Sequence, residues 1–91
     1  MLQEVKDYLK ITWDNEDAYI QDIIGRGKAE LNDSTGVELD FEAEGKPKNI
    51  LLDYCRYYYN NAVSYFRENF REEVLELKLK EAAKLNKGDA E

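Results

Sequence analysis

The stretch LLDYCRYYYNNAVSYF, residues 51 to 66, carries more apolar and aromatic surface than one face of a helix can hold. At about 100° per residue, Leu51, Tyr54, Cys55, Tyr58, Ala62 and Tyr65 form one stripe. Tyr59, Val63, Phe66 and Phe70 form a second, offset stripe, and Tyr57 falls outside both. A helix with so wide an apolar arc is either central in its own bundle or shared between its own core and another molecule. Pro47, the only proline, fits the first turn of this helix because its missing N–H is an orphan there in any case.

The rest of the chain reads as helices that such a hub could organise. Leu2, Val5 and Leu9 recur at helical spacing, which predicts a short helix over residues 2 to 10. A second helix is expected over residues 15 to 35, with Thr12 and Asp14 as candidate N-caps and Asp14, Glu16 and Asp17 favouring its positive end. Its buried stripe is Ile20, Ile23, Ile24, Gly27 and Leu31, and Gly36 is placed to take a left-handed cap. The low helix propensity of Gly25 and Gly27 calls for close approach of another backbone at Gly27 or a bend that breaks the helix in two; close packing is the expectation at Gly27, which lies on the stripe, and Gly25 lies off it and has no such account. The segment VELDFEAEGK, residues 37 to 46, alternates like a strand over only five positions, so an extended loop is the expectation. The last segment, REEVLELKLKEAAKLNKGDAE, alternates leucines with charges, but its residue types are strong helix formers. A helix over residues 71 to 85 follows, with Val74, Leu75, Leu79, Ala82 and Leu85 on one face, Leu77 on another, and a frayed end from Asn86. The fold class is thus all-α: a small bundle of three to four helices with an acidic loop between the second and third. Residues 1–70 form its body, and residues 71–91 are either part of the same single domain or a docking arm.

Ninety-one residues suit one small domain, and the single Cys55 leaves no internal disulfide, so stability comes from packing or from partners. The net charge of −7 counts against a protein that grips nucleic acid by neutralising phosphates. No apolar run is long enough to cross a bilayer, and MLQEVKDYLK lacks the parts of a signal peptide, so synthesis in the cytoplasm is expected.

Residues able to do chemistry are scarce. Histidine is absent, which removes its metal sites and general bases. Cys55 sits between large apolar neighbours and reads as a small core residue rather than a nucleophile. GRGK at residues 25 to 28 follows no strand, GKP at 45 to 47 lacks the hydroxyl of a P-loop, and DNED at 14 to 17 lacks the ligand alternation of an EF-hand. No enzyme activity, metal or cofactor is expected.

The order of these elements resembles a known family. A Leu-led helix LQEVKDYLKI, an acidic cap and amphipathic helix closing in STG, a variable loop, and a tyrosine-rich helix DYCRYYYNNAVSYF are similar to the head-tail connector (adaptor) proteins of long-tailed bacteriophages, over residues 2 to 70. The resemblance implies a structural protein of the virion neck, made in the host bacterial cytoplasm. It implies a homo-oligomeric ring of about a dozen copies beneath the portal protein, contacting the next neck or tail-completion protein, with DNA passing through without specific binding and no membrane contact. Under it, Tyr57, Tyr59, Val63, Phe66 and Phe70 are expected at the subunit interface, because a ring needs two different side faces. Leu77 and Leu79 are expected to dock a partner, and Glu38, Asp40, Glu42 and Glu44 to line the DNA channel, where carboxylates repel phosphates. The competing class is an acidic helical inhibitor that imitates DNA. Against it, the acids of the last helix are interspersed with Lys and Arg rather than aligned in rows.

Overall fold

The ladder of isoleucines at residues 20, 23 and 24, continued by Gly27 and Leu31, forms the floor of the core, and each of these residues is buried. A computed structural model of the chain describes the backbone of residues 1–89 and the side chains of residues 1–84. It consists of five helices, α1 (Leu2–Leu9), α2 (Asp17–Thr35), α3 (Lys46–Tyr59), α4 (Val63–Asn69) and α5 (Arg71–Asp89), with no strand among the described residues. The all-α expectation holds, and the segment from Val37 to Lys46 contains no strand. Phe41 is buried and anchors that loop to the core.

Helix α2 begins at Asp17, later than expected, and neither Thr12 nor Asp14 caps it: the N-cap is Glu16, with no side-chain cap bond. Asp14 instead accepts a hydrogen bond from Lys6 Nζ of α1 at 2.5 Å, and Asp17 pairs with the same ammonium at 2.8 Å. This joins the end of the first helix to the start of the second, and both carboxylates hold the buried Lys6 above its ordinary pKa. At the other end, Gly36 takes φ 76 and its N–H returns to Asn32 O at 2.8 Å, the left-handed stop expected of it. Asn32 Oδ1 also accepts the Leu39 N–H at 2.9 Å, which starts the loop back across the bundle.

Helix α3 is the hub. It runs antiparallel to α2, with Tyr59 near Glu16 and Tyr54 near Gly27, and alongside α1 in the same direction, with Lys48 near Glu4 and Tyr8 near Asp53. Its inner face, Ile50, Leu51, Tyr54 and Cys55, is buried in one cluster with Val5, Ile11, Phe41, Phe66 and Leu77. Pro47 occupies the first turn, as its lack of an N–H permits.

The tyrosine-rich helix does not continue to residue 70. It breaks at Asn60–Ala62, where Asn61 adopts φ 58, and the Asn61 and Ala62 N–H groups return to Tyr58 O and Tyr57 O at 3.0 and 2.8 Å. Asparagine is among the few residues that enter the left-handed region at modest cost, which makes Asn60-Asn61 a workable breakpoint. The break redirects α4 so that Phe66 reaches the core while Tyr65 points to solvent, 61% exposed. The continuous stripe through Ala62 and Tyr65 is therefore replaced by two short helices. Helix α5 is helical to Asp89, past the expected stop at residue 85. The placement of Leu85 on its face lies outside the described side chains, and Ala90 and Glu91, the end of the tail expected to fray, lie outside the described residues.

Candidate functional site

The surfaces open to another protein are defined by what the aromatic cluster uses up. Phe66 meets Tyr54 edge-on at 5.2 Å between ring centroids and stacks on Phe70 at 4.8 Å, and Tyr57 completes the cluster against both phenylalanines at 5.9 and 5.7 Å. Phe66 is only 2% exposed, so its ring belongs to the core of a single chain and not to a subunit interface. The helix break explains the difference: once α4 turns, the second stripe folds back onto α3. Tyr57, Tyr59, Val63 and Phe70 are half-buried against this core and keep an outer edge.

Helix α5 inverts the expected assignment of its leucines. Leu77, expected to point away from the domain, is 2% exposed and packs into the core, with Val74 half-buried beside it. Leu75 and Leu79 are instead 53% and 61% exposed. Periodicity identified two apolar faces on this helix, and the packing of α5 on α2 selects the Val74–Leu77 face. Leu77 therefore cannot dock a partner without leaving the core, whereas Leu79 is open to one.

A second exposed surface lies at the start of α2 and escaped the sequence reading. Trp13 and Tyr19 are nearly half exposed, and Tyr19 lies 6.3 Å from the Tyr59 ring. Glu16 organises this corner: its Oε1 accepts both Trp13 Nε1–H at 2.6 Å and Tyr59 O–H at 2.7 Å, and the two bonds hold its carboxyl below the usual range. Tyr8, also exposed, donates to Asp53 Oδ1 at 2.5 Å. The available signal was that Tyr19 lies off the isoleucine stripe of α2 and that Trp13 precedes the helix.

The acidic loop keeps Glu38, Asp40, Glu42 and Glu44 at the surface, all exposed. Asp40 Oδ1 accepts the N–H groups of Glu42 and Ala43 at 2.9 and 3.2 Å, closing a local turn. Glu44 pairs with Lys48 at 2.6 Å; Lys48 also pairs with Glu4, and the two carboxylates push its pKa well up. A groove of about 420 Å³ separates the loop from α5, with Glu38, Asp40, Glu44 and Lys46 on the loop side and Lys80, Glu81 and Lys84 on the helix side. The loop's charge is thus partly balanced by its neighbours.

Among the described residues, chemistry-bearing groups do not converge. Cys55 is fully buried and burial pushes its thiol up to about 12, so the nucleophilic thiolate is not populated near neutrality. No group of three or more Cys, Asp or Glu side chains suited to hold a metal occurs among the described residues, and among them no helix is long and apolar enough to cross a membrane. An apolar groove of about 300 Å³ lies between α2 and the α4–α5 junction, floored by Leu31, Phe66, Phe70 and Val74. On its rim Arg67 forms a two-pronged pair with Glu30 at 2.8 and 3.2 Å.

The model of the phage gp6-like head-tail connector proteins matches residues 1–90. Comparison with curated proteins and with solved structures gave no match. With a match running through all five helices, from the Leu-led α1 to the two-faced α5, this chain belongs to the phage gp6-like head-tail connector family.

Proposed function

We propose that the chain is a structural component of the phage neck, where about a dozen copies form a ring beneath the portal, extend the DNA channel and seat the next neck or tail-completion protein. The observation that carries this reading is the family match over residues 1–90. Two features support it. Large apolar side chains remain exposed at separate positions, Tyr8 on α1, Trp13 and Tyr19 at the start of α2, Tyr65 on α4 and Leu75 and Leu79 on α5, and a closed ring needs two different contact patches per copy. The second feature is charge: at −7 overall, with Glu38, Asp40, Glu42 and Glu44 displayed on one loop, the chain can face passing DNA without holding it.

In this reading Tyr57, Tyr59, Val63 and Phe70 contribute their outer edges to the subunit contact, and Leu79 docks onto a neighbouring subunit. The ring sits at the head-tail junction of the virion after synthesis in the host cytoplasm. The direct test is to co-express the chain with the portal of the same phage and image the complex by electron microscopy. A coaxial ring of this protein on the portal is the expected result. A portal that binds single copies without ring density, or binds none, would remove the reading.

A further inference from the structure

Helix α5 carries a second apolar stripe that its own domain does not cover. Leu75 and Leu79 each lie about 200° round the helix from the buried Leu77, and the exposed Ala82 extends them at the next turn. The spacing of 75, 79 and 82 is the alternating four-and-three pattern that helices use to pack against one another. Charge is sorted around this stripe. On one flank stand Arg71 and Lys78, and on the other Glu72 and Glu76, all four exposed. Glu76 is engaged by Lys46 at 3.1 Å, an exposed pair of the kind that exchanges readily for another cation. The remaining charged side chains of the helix up to residue 84, Glu73, Lys80, Glu81 and Lys84, fall on the side nearer Leu77.

We infer that the two charged flanks of this stripe are the contact between successive copies in the ring, with Arg71 and Lys78 of one copy against Glu72 and Glu76 of the next and Leu75, Leu79 and Ala82 lying between the two flanks. The inference rests on the ring proposed above and adds α5 to its subunit contact. In a ring of about a dozen copies neighbouring helices are related by a rotation of about 30° and so point in nearly the same direction, and one flank of each helix meets the opposite flank of its neighbour. Here that places basic against acidic at every junction. An antiparallel pair would put like charges together, at a cost. A stripe of three small and medium side chains is too short to hold an isolated pair of helices, so the contact relies on repetition around a closed ring.

The arrangement makes an unusual prediction for mixtures. The variant Arg71→Glu/Lys78→Glu has two acidic flanks, and the variant Glu72→Lys/Glu76→Lys has two basic flanks. Each, purified as the full chain, is expected to melt like the parent, because all four positions are exposed. Each alone is expected to need a protein concentration about tenfold higher or more to assemble, measured by sedimentation velocity and mass photometry with the portal present as a template. An equimolar mixture is expected to regain parental assembly as rings in which the variants alternate. If both variants assemble alone as readily as the parent, the stripe is not the contact, while the ring itself stands. If the mixture yields only two-chain species, the stripe is a pairwise contact and the inference fails. A parent chain that forms no ring on the portal would overturn the ring and this interface together.

Discussion

Gly27 of α2 faces Leu51 of α3 so closely that a β-carbon at Gly27 would lie 2.6 Å from Leu51 Cδ1, with Tyr54 Cδ1 at 2.7 Å. The two central helices meet at this glycine, and the low helix propensity of the residue is offset by the packing it allows. Gly25, two positions earlier, has nothing within 4 Å of the same hypothetical atom. The two glycines therefore separate in a simple test. Gly27→Ala is expected to destabilise the fold by about 1 kcal/mol or more net, because overpacking outweighs the gain in helix propensity. Gly25→Ala is expected to stabilise it by about 0.5–1 kcal/mol. Urea denaturation of both variants decides the matter, and a stabilised Gly27→Ala would show that α2 and α3 are not so closely opposed.

The break between α3 and α4 depends on Asn61 at φ 58. Asn61→Gly is expected to preserve or slightly raise stability, since glycine enters this region freely. Asn61→Val, with a branched β-carbon, should cost about 1–2 kcal/mol. Equal melting temperatures for the two variants would contradict a left-handed residue at this position.

The two leucine faces of α5 predict opposite outcomes for one kind of substitution. Leu77→Ala is expected to cost about 2–5 kcal/mol, as for other buried leucines. Leu79→Ala, at an exposed position, should change the stability of the single chain by no more than about 0.5 kcal/mol. Chemical denaturation at a concentration where the chain is monomeric measures both, and a larger loss for Leu79 than for Leu77 would reverse the assignment of the faces.

Two buried groups link stability to alkaline pH. Burial pushes the Cys55 thiol up to about 12 from an ordinary 9.0, and the Tyr54 phenol up to about 12 from 10.0. In both cases the unfolded chain releases the proton first, so their contribution is fully present below pH 9.0 and is lost as pH rises toward about 12. Stability should fall steadily across that window. Cys55→Ala is expected to lower stability at neutral pH through lost packing, yet flatten its decline between pH 9.0 and 12. Circular dichroism during urea titration at several pH values reads both effects, and an unchanged slope would place the thiol in contact with water.

Much of the bundle was legible from residue order because helical periodicity and end signals are local. The isoleucine stripe of α2, the stop at Gly36 and the proline start of α3 each depend on residues within a few positions of one another, and each is found where the sequence places it. The same locality limits what periodicity decides. The last helix has leucines on two sides, and nothing within it indicates which side faces α2; the burial of Leu77 and the exposure of Leu75 and Leu79 follow from the direction in which the chain leaves α4. That direction is set by a single left-handed residue, Asn61, whose backbone angle adds little to the pattern of apolar residues. Once α4 turns there, Phe66 swings from a surface stripe into the core, and Tyr65 swings out. The sequence by itself determined an all-helical, acidic, single-cysteine domain with surplus apolar surface, because those properties are sums over residues or short-range spacings. Only the tertiary structure decided which aromatic and leucine side chains make up that surplus, because burial depends on the angles between helices, and those are fixed by contacts far apart in the chain.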